Sequence, residues 1–320
     1  MSWLLTALAL LIERAFGYPD TVLRRISHPV VWMGALIAWL EKRLNRPERS
    51  GGQRRLAGVV GLAALIVATL LPALALHVLL RQVPFGWAVE AVLATSMLAQ
   101  KELGRAVAAV MFALTRSLDA GREAVSRIVG RDPQQLDQAG VCRAAIETLA
   151  ESSSDGVVAP ALFLFLFGLP GAALYKAINT ADSMIGHKTL RYRDYGWAAA
   201  RLDDLVNLVP ARLTAGLVVI ACFFVPGASP SGALKAARRD AQKHESPNAG
   251  WPESAFAGAL GFALGGPRSY DGDVVDLPLM GAGRTELGPA DIFAALRLYE
   301  AVLWVLLGSA VAVGAALAAG

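Results

Sequence analysis

The sequence predicts an all-α polytopic membrane protein of about five apolar helical elements, some re-entrant, with cytoplasmic polar loops forming the site. Three observations predict it. Of the 320 residues 55% are hydrophobic, where a soluble domain holds about 45–50%. The mean hydropathy is +0.47. The tracts 56–80, 87–114, 156–177, 205–225 and 301–319 approach the run of about 20 apolar residues that a hydrocarbon core requires. No internal repeat or low-complexity linker divides the chain, so one domain over 1–320 is expected, with a polar insertion at about 227–300.

The first apolar stretch, 3–12, has no basic region before it and is followed by Glu13 and Arg14 rather than a small-residue cleavage pattern, so it is expected to be retained. Between it and the second tract lie Lys42, Arg43, Arg46, Arg49, Arg54 and Arg55; a second basic connection carries Arg116, Arg122, Arg127, Arg131 and Arg143. Lys and Arg accumulate in cytoplasmic loops, so both connections are assigned to that face. The short turn 81–86 carries one cation and is assigned to the outer face, which makes 56–80 and 87–114 a hairpin. The net charge of +4 is accounted for by this loop bias, and nothing resembles a nucleic-acid-binding module. Two cysteines, Cys142 and Cys222, give neither a disulfide framework nor a cysteine-rich metal site.

Strict alternation then fails, because Lys188, Arg191, Arg193 and Arg201 follow the tract 156–177 and Lys235, Arg238, Arg239 and Lys243 follow 205–225. The first of these tracts contains Gly168, Pro170 and Gly171, which cost a helix hydrogen bonds and backbone order. A re-entrant pair of half-helices meeting there keeps both flanks on one side. Irregular backbone at membrane depth is tolerated only inside protein or beside a wet cavity, so the break itself points to a site.

Four clusters carry chemistry. Glu147, Glu151 and Asp155 stand at i, i+4 and i+8, one face of a helix; like charges so stacked are favourable around a divalent cation shared with substrate phosphates, and the structural alternative is a solvated face with Asp155 as a cap. Lys176, Asn179 or Thr180, Ser183 and His187 form a stripe after the break, with Asp182 and Lys188 beside it; the alternative for Lys176 is snorkelling to the interface. Asp203, Asp204, Asn207 and Arg212 sit at the mouth of an apolar tract, where ionisable groups are costly and mark function by default; structural pairing of Arg212 with an earlier aspartate is the alternative. Arg238, Arg239, Lys243, His244, Asn248 and Glu253 bring cations, a proton acceptor near neutral pH, an amide and a carboxylate into one short stretch. The glycine-rich run 265–272 could also cradle phosphate through its backbone. Gly186, Lys188 and Thr189 echo the end of a phosphate-binding loop, but its first glycine and preceding strand are missing.

Read together, the motifs 147–156 (ETLAESSSDG), 175–186 (YKAINTADSMIG), 203–212 (DDLVNLVPAR) and 246–253 (SPNAGWPE) resemble the CobD/CbiB family of cobalamin biosynthesis proteins, adenosylcobinamide-phosphate synthase. His28, Pro29, Val30 and Gly34, and Leu264 to Pro267 with Tyr270 and Gly272, fit the same pattern, which runs in order from about residue 10 to residue 290. Tyr18, where aspartate is the commoner residue between glycine and proline, departs from it.

The resemblance implies an ATP-dependent amide-bond ligase that joins (R)-1-amino-2-propanol or its O-phosphate to the propionate carboxylate of adenosylcobyric acid. It implies ATP and Mg²⁺ as cofactors, membrane lipid as environment, and other corrin-assembly enzymes as candidate partners. On this reading Glu147, Glu151 and Asp155, with Asp182 or Asp203, hold Mg²⁺–ATP. Lys176, Lys188, Arg212, Arg238 and Arg239 bind phosphates or propionates, and Asn179, Ser183, Asp204 and Asn207 complete the substrate contacts. His244 is the candidate base, oriented by Asn248 and Glu253, with His187 as the alternative base. The chain is expected in the cell (inner) membrane with its site facing the cytoplasm. A transporter, or a non-catalytic sensor of the AmpE type, is the competing reading; a transporter normally shows two related halves, and none is present.

Overall fold

The computed structural model describes residues 2–18, 27–130, 133–266, 268–270, 273–275 and 278–319. Pro19, Arg131, and Pro267, Asp271 and Gly272 of the glycine-rich run lie outside the described residues. In chain order the α-helices are α1 (Ser2–Phe16), α2 (Pro29–Leu44), α3 (Gly51–Leu80), α4 (Gly86–Ala94), α5 (Gln100–Leu114), α6 (Leu118–Ser126) and α7 (Gln138–Ser153). They continue as α8 (Ala159–Ile185), α9 (Trp197–Val206), α10 (Leu208–Ala221), α11 (Pro230–Asp240), α12 (Gly250–Leu260) and α13 (Pro289–Ala319). Four short strands, β1 (Leu264–Gly265), β2 (Arg268–Tyr270), β3 (Asp273–Val275) and β4 (Leu279–Met280), pair antiparallel as β1 with β4 and β2 with β3.

The chain forms two compact units interleaved along the sequence: Met1–Ala99 with Ala159–Asn207 and Ala310–Gly320, and Gln100–Val158 with Leu208–Ser309. Among the described residues three helical stretches are long and apolar enough to cross a membrane, Gly51–Leu80, Gln138–Ile185 and Pro289–Ala319, and a fourth if Trp197–Val206 and Leu208–Phe224 are one broken span. The expectation of five is corrected at the tract 87–114. Its α-helices stop at Ala94 and restart at Gln100 across a 3₁₀ turn, Thr95–Met97, where Thr95 and Ser96 hydroxyls donate to the carbonyls of Val92 and Leu93. Neither piece is long enough to span. Only 11% of the most apolar window of α3 is buried, and Val59, Val60, Val67, Leu71, Leu74 and Leu79 are exposed. So continuous an apolar face needs lipid around it, which makes this a helical polytopic membrane protein.

In the first unit, local capping fixes the helix starts. His28 accepts the Val30 N–H ahead of Pro29, and Ser50 forms a reciprocal capping box with Gln53. The decisive feature is in α8. Gly168 has φ +67 and ψ −161, outside helical space, and the rings of Phe163 and Tyr175 lie 5.1 Å apart. Twelve residues of straight helix would separate them by about 18 Å, so the chain doubles back at Gly168 to Gly171. A side chain at Gly171 would fall 2.4 Å from Phe167 Cβ and 2.6 Å from the Phe163 carbonyl oxygen, so the two arms approach this closely only because residue 171 is glycine. The helix break expected from the sequence is present, as a fold-back within α8.

The break is capped from outside the helix. Glu90 Oε1 accepts the Leu169 N–H at 3.2 Å and meets His77 Nδ1 at 2.6 Å. His77 lies near the C-terminal end of α3, while the opposite end packs on the 186–196 loop. There Arg191 donates to both oxygens of Glu41 at 3.0 and 2.8 Å, Asn45 Nδ2 donates to the Arg191 carbonyl at 3.0 Å, and Arg55 pairs with Asp194 at 3.2 Å. The Arg191 hydrogen bonds hold the Glu41 carboxyl below its ordinary value. Two basic stretches assigned to one face from sequence thus lie together at one end of this unit.

In the second unit α11 and α12 pack tightly where Gly232 and Gly258 let the backbones touch. The β1–β4 pair, with Leu264 opposite Met280, closes the polar insertion. Arg284 pairs with Asp291 in the first turn of α13, and Asp291 also accepts the Gly288 N–H at 2.8 Å.

Candidate active site

Within the first unit the returning arm of α8 presents the predicted stripe to α9. Tyr175 is fully buried and donates to Asn207 Oδ1 at 2.8 Å; Asn207 Nδ2 donates to Asp203 Oδ2 at 2.9 Å; Asn179 Nδ2 reaches Asp203 Oδ1 at 3.4 Å. Asp203 is 8% exposed. Its carboxylate is therefore oriented by two amides, one of them fixed by a buried phenol. Asp182 lies close enough to repel it, and the Asp182 carboxylate occupies the space a side chain at Gly186 would need. Ser183 donates to the Asn179 carbonyl at 2.9 Å, and His187 Nε2 lies 3.0 Å from the Ser183 carbonyl. A carbonyl only accepts, so Nε2 carries the proton and Nδ1 of neutral His187 keeps its lone pair. Asp204 pairs with Arg201 at 3.4 Å, and Lys188 is exposed.

His28 belongs to the same neighbourhood. Burial and the Lys176 ammonium both push its pKa down, and Tyr18 stacks edge-on at 4.5 Å. Its Nδ1 accepts the Val30 N–H at 3.2 Å, which leaves the proton on Nε2. Sequence reasoning placed His28 only within a motif, because a histidine just before proline reads as a helix start; its proximity to Lys176 is tertiary.

The second unit builds its cluster on the N-terminus of α12. Ser246 Oγ accepts the N–H groups of Asn248 at 3.2 Å and Ala249 at 3.3 Å, so the SPNAGWPE motif is in part a helix-entry turn. Arg212 on α10 donates to the Leu208 carbonyl at 2.7 Å, reaches Asn248 Oδ1 at 3.4 Å and lies 4.8 Å over the Trp251 ring. Asn248 and Trp251, rather than an earlier aspartate, are the partners of Arg212. His244 accepts the Ser246 N–H on Nδ1 at 3.0 Å, and its Nε2 faces the buried Glu253 at 3.7 Å. In this arrangement the His244 lone pair is engaged and its proton points at a carboxylate. Arg238 is exposed, and Arg239 is bound to Asp240.

Of the three carboxylates in the expected stripe, Glu147 and Glu151 lie on α7 and Asp155 lies in a π-turn, Ser154–Val158, that follows it. Glu147 is buried with Oε1 on the Gly265 N–H at 2.6 Å, which ties α7 to β1, and Glu151 is exposed. Among the described residues no group of three or more His, Cys, Asp and Glu side chains is gathered to hold a metal. Mg²⁺, however, is usually held by one or two carboxylates together with substrate phosphates and water. Asp182 and Asp203, two carboxylates near enough to repel one another, fit that requirement in the first unit.

Broken helices, a fold-back capped by a buried carboxylate, and polar networks beside lipid-exposed surfaces define a polytopic membrane protein with buried chemistry. The chain belongs to the CobD/Cbib protein family, whose model matches residues 6–299. It is 50% identical over 295 residues to the cobalamin biosynthesis protein CobD of Rhodobacter capsulatus, covering 90% of each chain. It is 47% identical over 311 residues to the protein of that name from Rhizobium meliloti, covering 95% of this chain and 94% of the relative. With the Brucella anthropi protein of that name it shares 46% over 316 residues, 97% and 96% of the two chains. No solved structure matches it.

Proposed function

We propose that this protein acts in cobalamin biosynthesis as an ATP-dependent ligase, joining (R)-1-amino-2-propanol or its O-phosphate to the propionate carboxylate of adenosylcobyric acid. Family membership supports the pathway. The observation that carries the ligase reading is the buried Tyr175–Asn207–Asp203–Asn179 network beside Asp182. A carboxylate is a poor electrophile, so amide formation requires it to be activated. In the reaction we propose, a propionate oxygen attacks the terminal phosphorus of ATP and ADP leaves. The amine nitrogen then attacks the carbonyl carbon, phosphate leaves, and one proton passes from the attacking nitrogen to a base.

Asp182 and Asp203 would hold the Mg²⁺ ion that offsets the phosphate charge. His187, whose Nδ1 lone pair faces away from its Ser183 hydrogen bond, is better arranged as the base than His244. In the second unit His244 and Glu253 set the entry turn of α12, where Arg212 and Asn248 offer a flat cationic fork and an amide to an anionic group. Lys176 and Lys188 supply further cations. ATP is cytoplasmic, so the site faces that side of the inner membrane, in agreement with the loop-charge bias.

The test is product formation by purified protein in detergent across a Mg²⁺ titration. Asp203→Asn should lower turnover about 10–100-fold and raise the Mg²⁺ concentration needed for half-maximal rate. An unchanged Mg²⁺ dependence would remove the metal assignment, and no product from folded wild type with either amine would remove the ligase.

A further inference from the structure

Asp240, at the end of α11, has no place in the chemistry above, yet it is wholly buried and gathers four donors. Its Oδ1 accepts Arg239 Nε at 2.8 Å and Lys243 Nζ at 2.7 Å; its Oδ2 accepts Arg239 Nη2 at 2.5 Å and the Gly281 N–H at 3.0 Å. Burying a carboxylate costs several kcal/mol, while the two cations it holds remain about half exposed, at 51% and 49%. Each pair with so exposed a partner offsets only part of that cost. What the arrangement does achieve is to fix two cationic heads in one place. Asp240 takes two of the five guanidinium N–H donors and one of the three ammonium donors, so each head keeps donors to offer.

Those heads stand on a cleft of about 640 Å³ whose other wall is Pro278, Leu279, Gly281 and Ala282. The cleft is open to solvent, so a small ligand reaches both heads without any movement of the wall. The wall is itself held in place, by the Asp240 bond to Gly281 and by the pairing of Leu279 with Gly265.

We infer that this cleft is a binding site for a phosphate-bearing small molecule, with Arg239 and Lys243 as its donors and Asp240 as the positioning residue that sets both. The inference rests on the ligase reading for its ligands. A guanidinium fork beside an ammonium is the donor set that phosphoryl oxygens select. Two substrates of the proposed reaction carry that group, the nucleotide and the aminopropanol phosphate, and the experiment separates them.

Full-length protein in detergent is titrated calorimetrically with a non-hydrolysable ATP analogue and, separately, with (R)-1-amino-2-propanol O-phosphate. In the variant carrying Arg239→Gln and Lys243→Gln, both at half-exposed positions, one of the two ligands should bind about tenfold or more weakly, while the other binds as to wild type. That pattern identifies the occupant, and a merely structural role would not produce it. Arg239→Lys should recover part of the loss. Asp240→Asn, which keeps both cations but releases them, should weaken the same ligand. If that variant does not fold, the double variant decides. Both ligands binding the double variant within about twofold of wild type, or both weakened alike, overturns the proposal, as does wild type that binds neither. Because binding is read directly, wild type that binds normally but makes no amide overturns the ligase and leaves the cleft assignment standing.

Discussion

Asp240 shows how a buried carboxylate is kept ionised in an apolar chain. Burial pushes the Asp240 carboxyl up, and the hydrogen bonds from Arg239, Lys243 and Gly281 outweigh it, leaving it at about 2. A group depressed in this way contributes stability that is complete above its ordinary value near about 4 and is lost as pH falls towards about 2. Asp240→Asn should therefore lower the melting temperature at pH 7 and flatten the acid limb between about pH 4 and 2, measured by thermal unfolding in detergent. Glu90→Ala strips the Leu169 N–H and His77 of their partner and should cost about 1–3 kcal/mol, seen as a lower midpoint in the same assay. A wild-type midpoint would show that water replaces the cap. Neither residue stood out in the sequence, because a lone acid beside arginine or inside an apolar tract gains its meaning from a partner far along the chain. The motif residues were legible for the opposite reason: Asp203, Asn207 and Asn179 are polar groups that an apolar element would not otherwise carry.

Among the elements, the fold-back of α8 was the most legible. A glycine and a proline two residues apart remove both the regular backbone and a hydrogen bond, and the chain turns there. Gly171→Ala should overpack the two arms, costing about 1–3 kcal/mol and weakening the ring contact of Phe163 with Tyr175; loss of turnover greater than loss of fold would tie the turn to the site through Tyr175. The tract 87–114 was misread because averaged hydropathy passes over the five residues from Thr95 to Ala99 at which the α-helix stops, where hydroxyl-to-carbonyl bonds compete with the helical ladder. The π-turn at Ser154–Val158 was illegible for a different reason. Nothing in the residue types distinguishes it from a continuing α-helix, although it falls on Asp155, the last carboxylate of the stripe drawn from a 3.6-residue period.

At the scale of the molecule, lipid-exposed faces and clustered basic loops set the orientation. Arg46 and Arg193 are both exposed at the end of the first unit where Arg191 meets Glu41 and Asn45. Both native cysteines are buried, so Arg46→Cys and Arg193→Cys can be labelled singly with a membrane-impermeant reagent. Both should react only from the cytoplasmic side; labelling from opposite sides would contradict the re-entrant arrangement. The most direct measurement of the central claim uses adenosylcobyric acid labelled with ¹⁸O in its propionate, purified protein, Mg²⁺, ATP and the aminopropanol phosphate. The account predicts one amide formed per ADP released, with one ¹⁸O appearing in the phosphate produced. Folded protein that yields no ATP-dependent amide from either amine, or amide without transfer of label to phosphate, would contradict it.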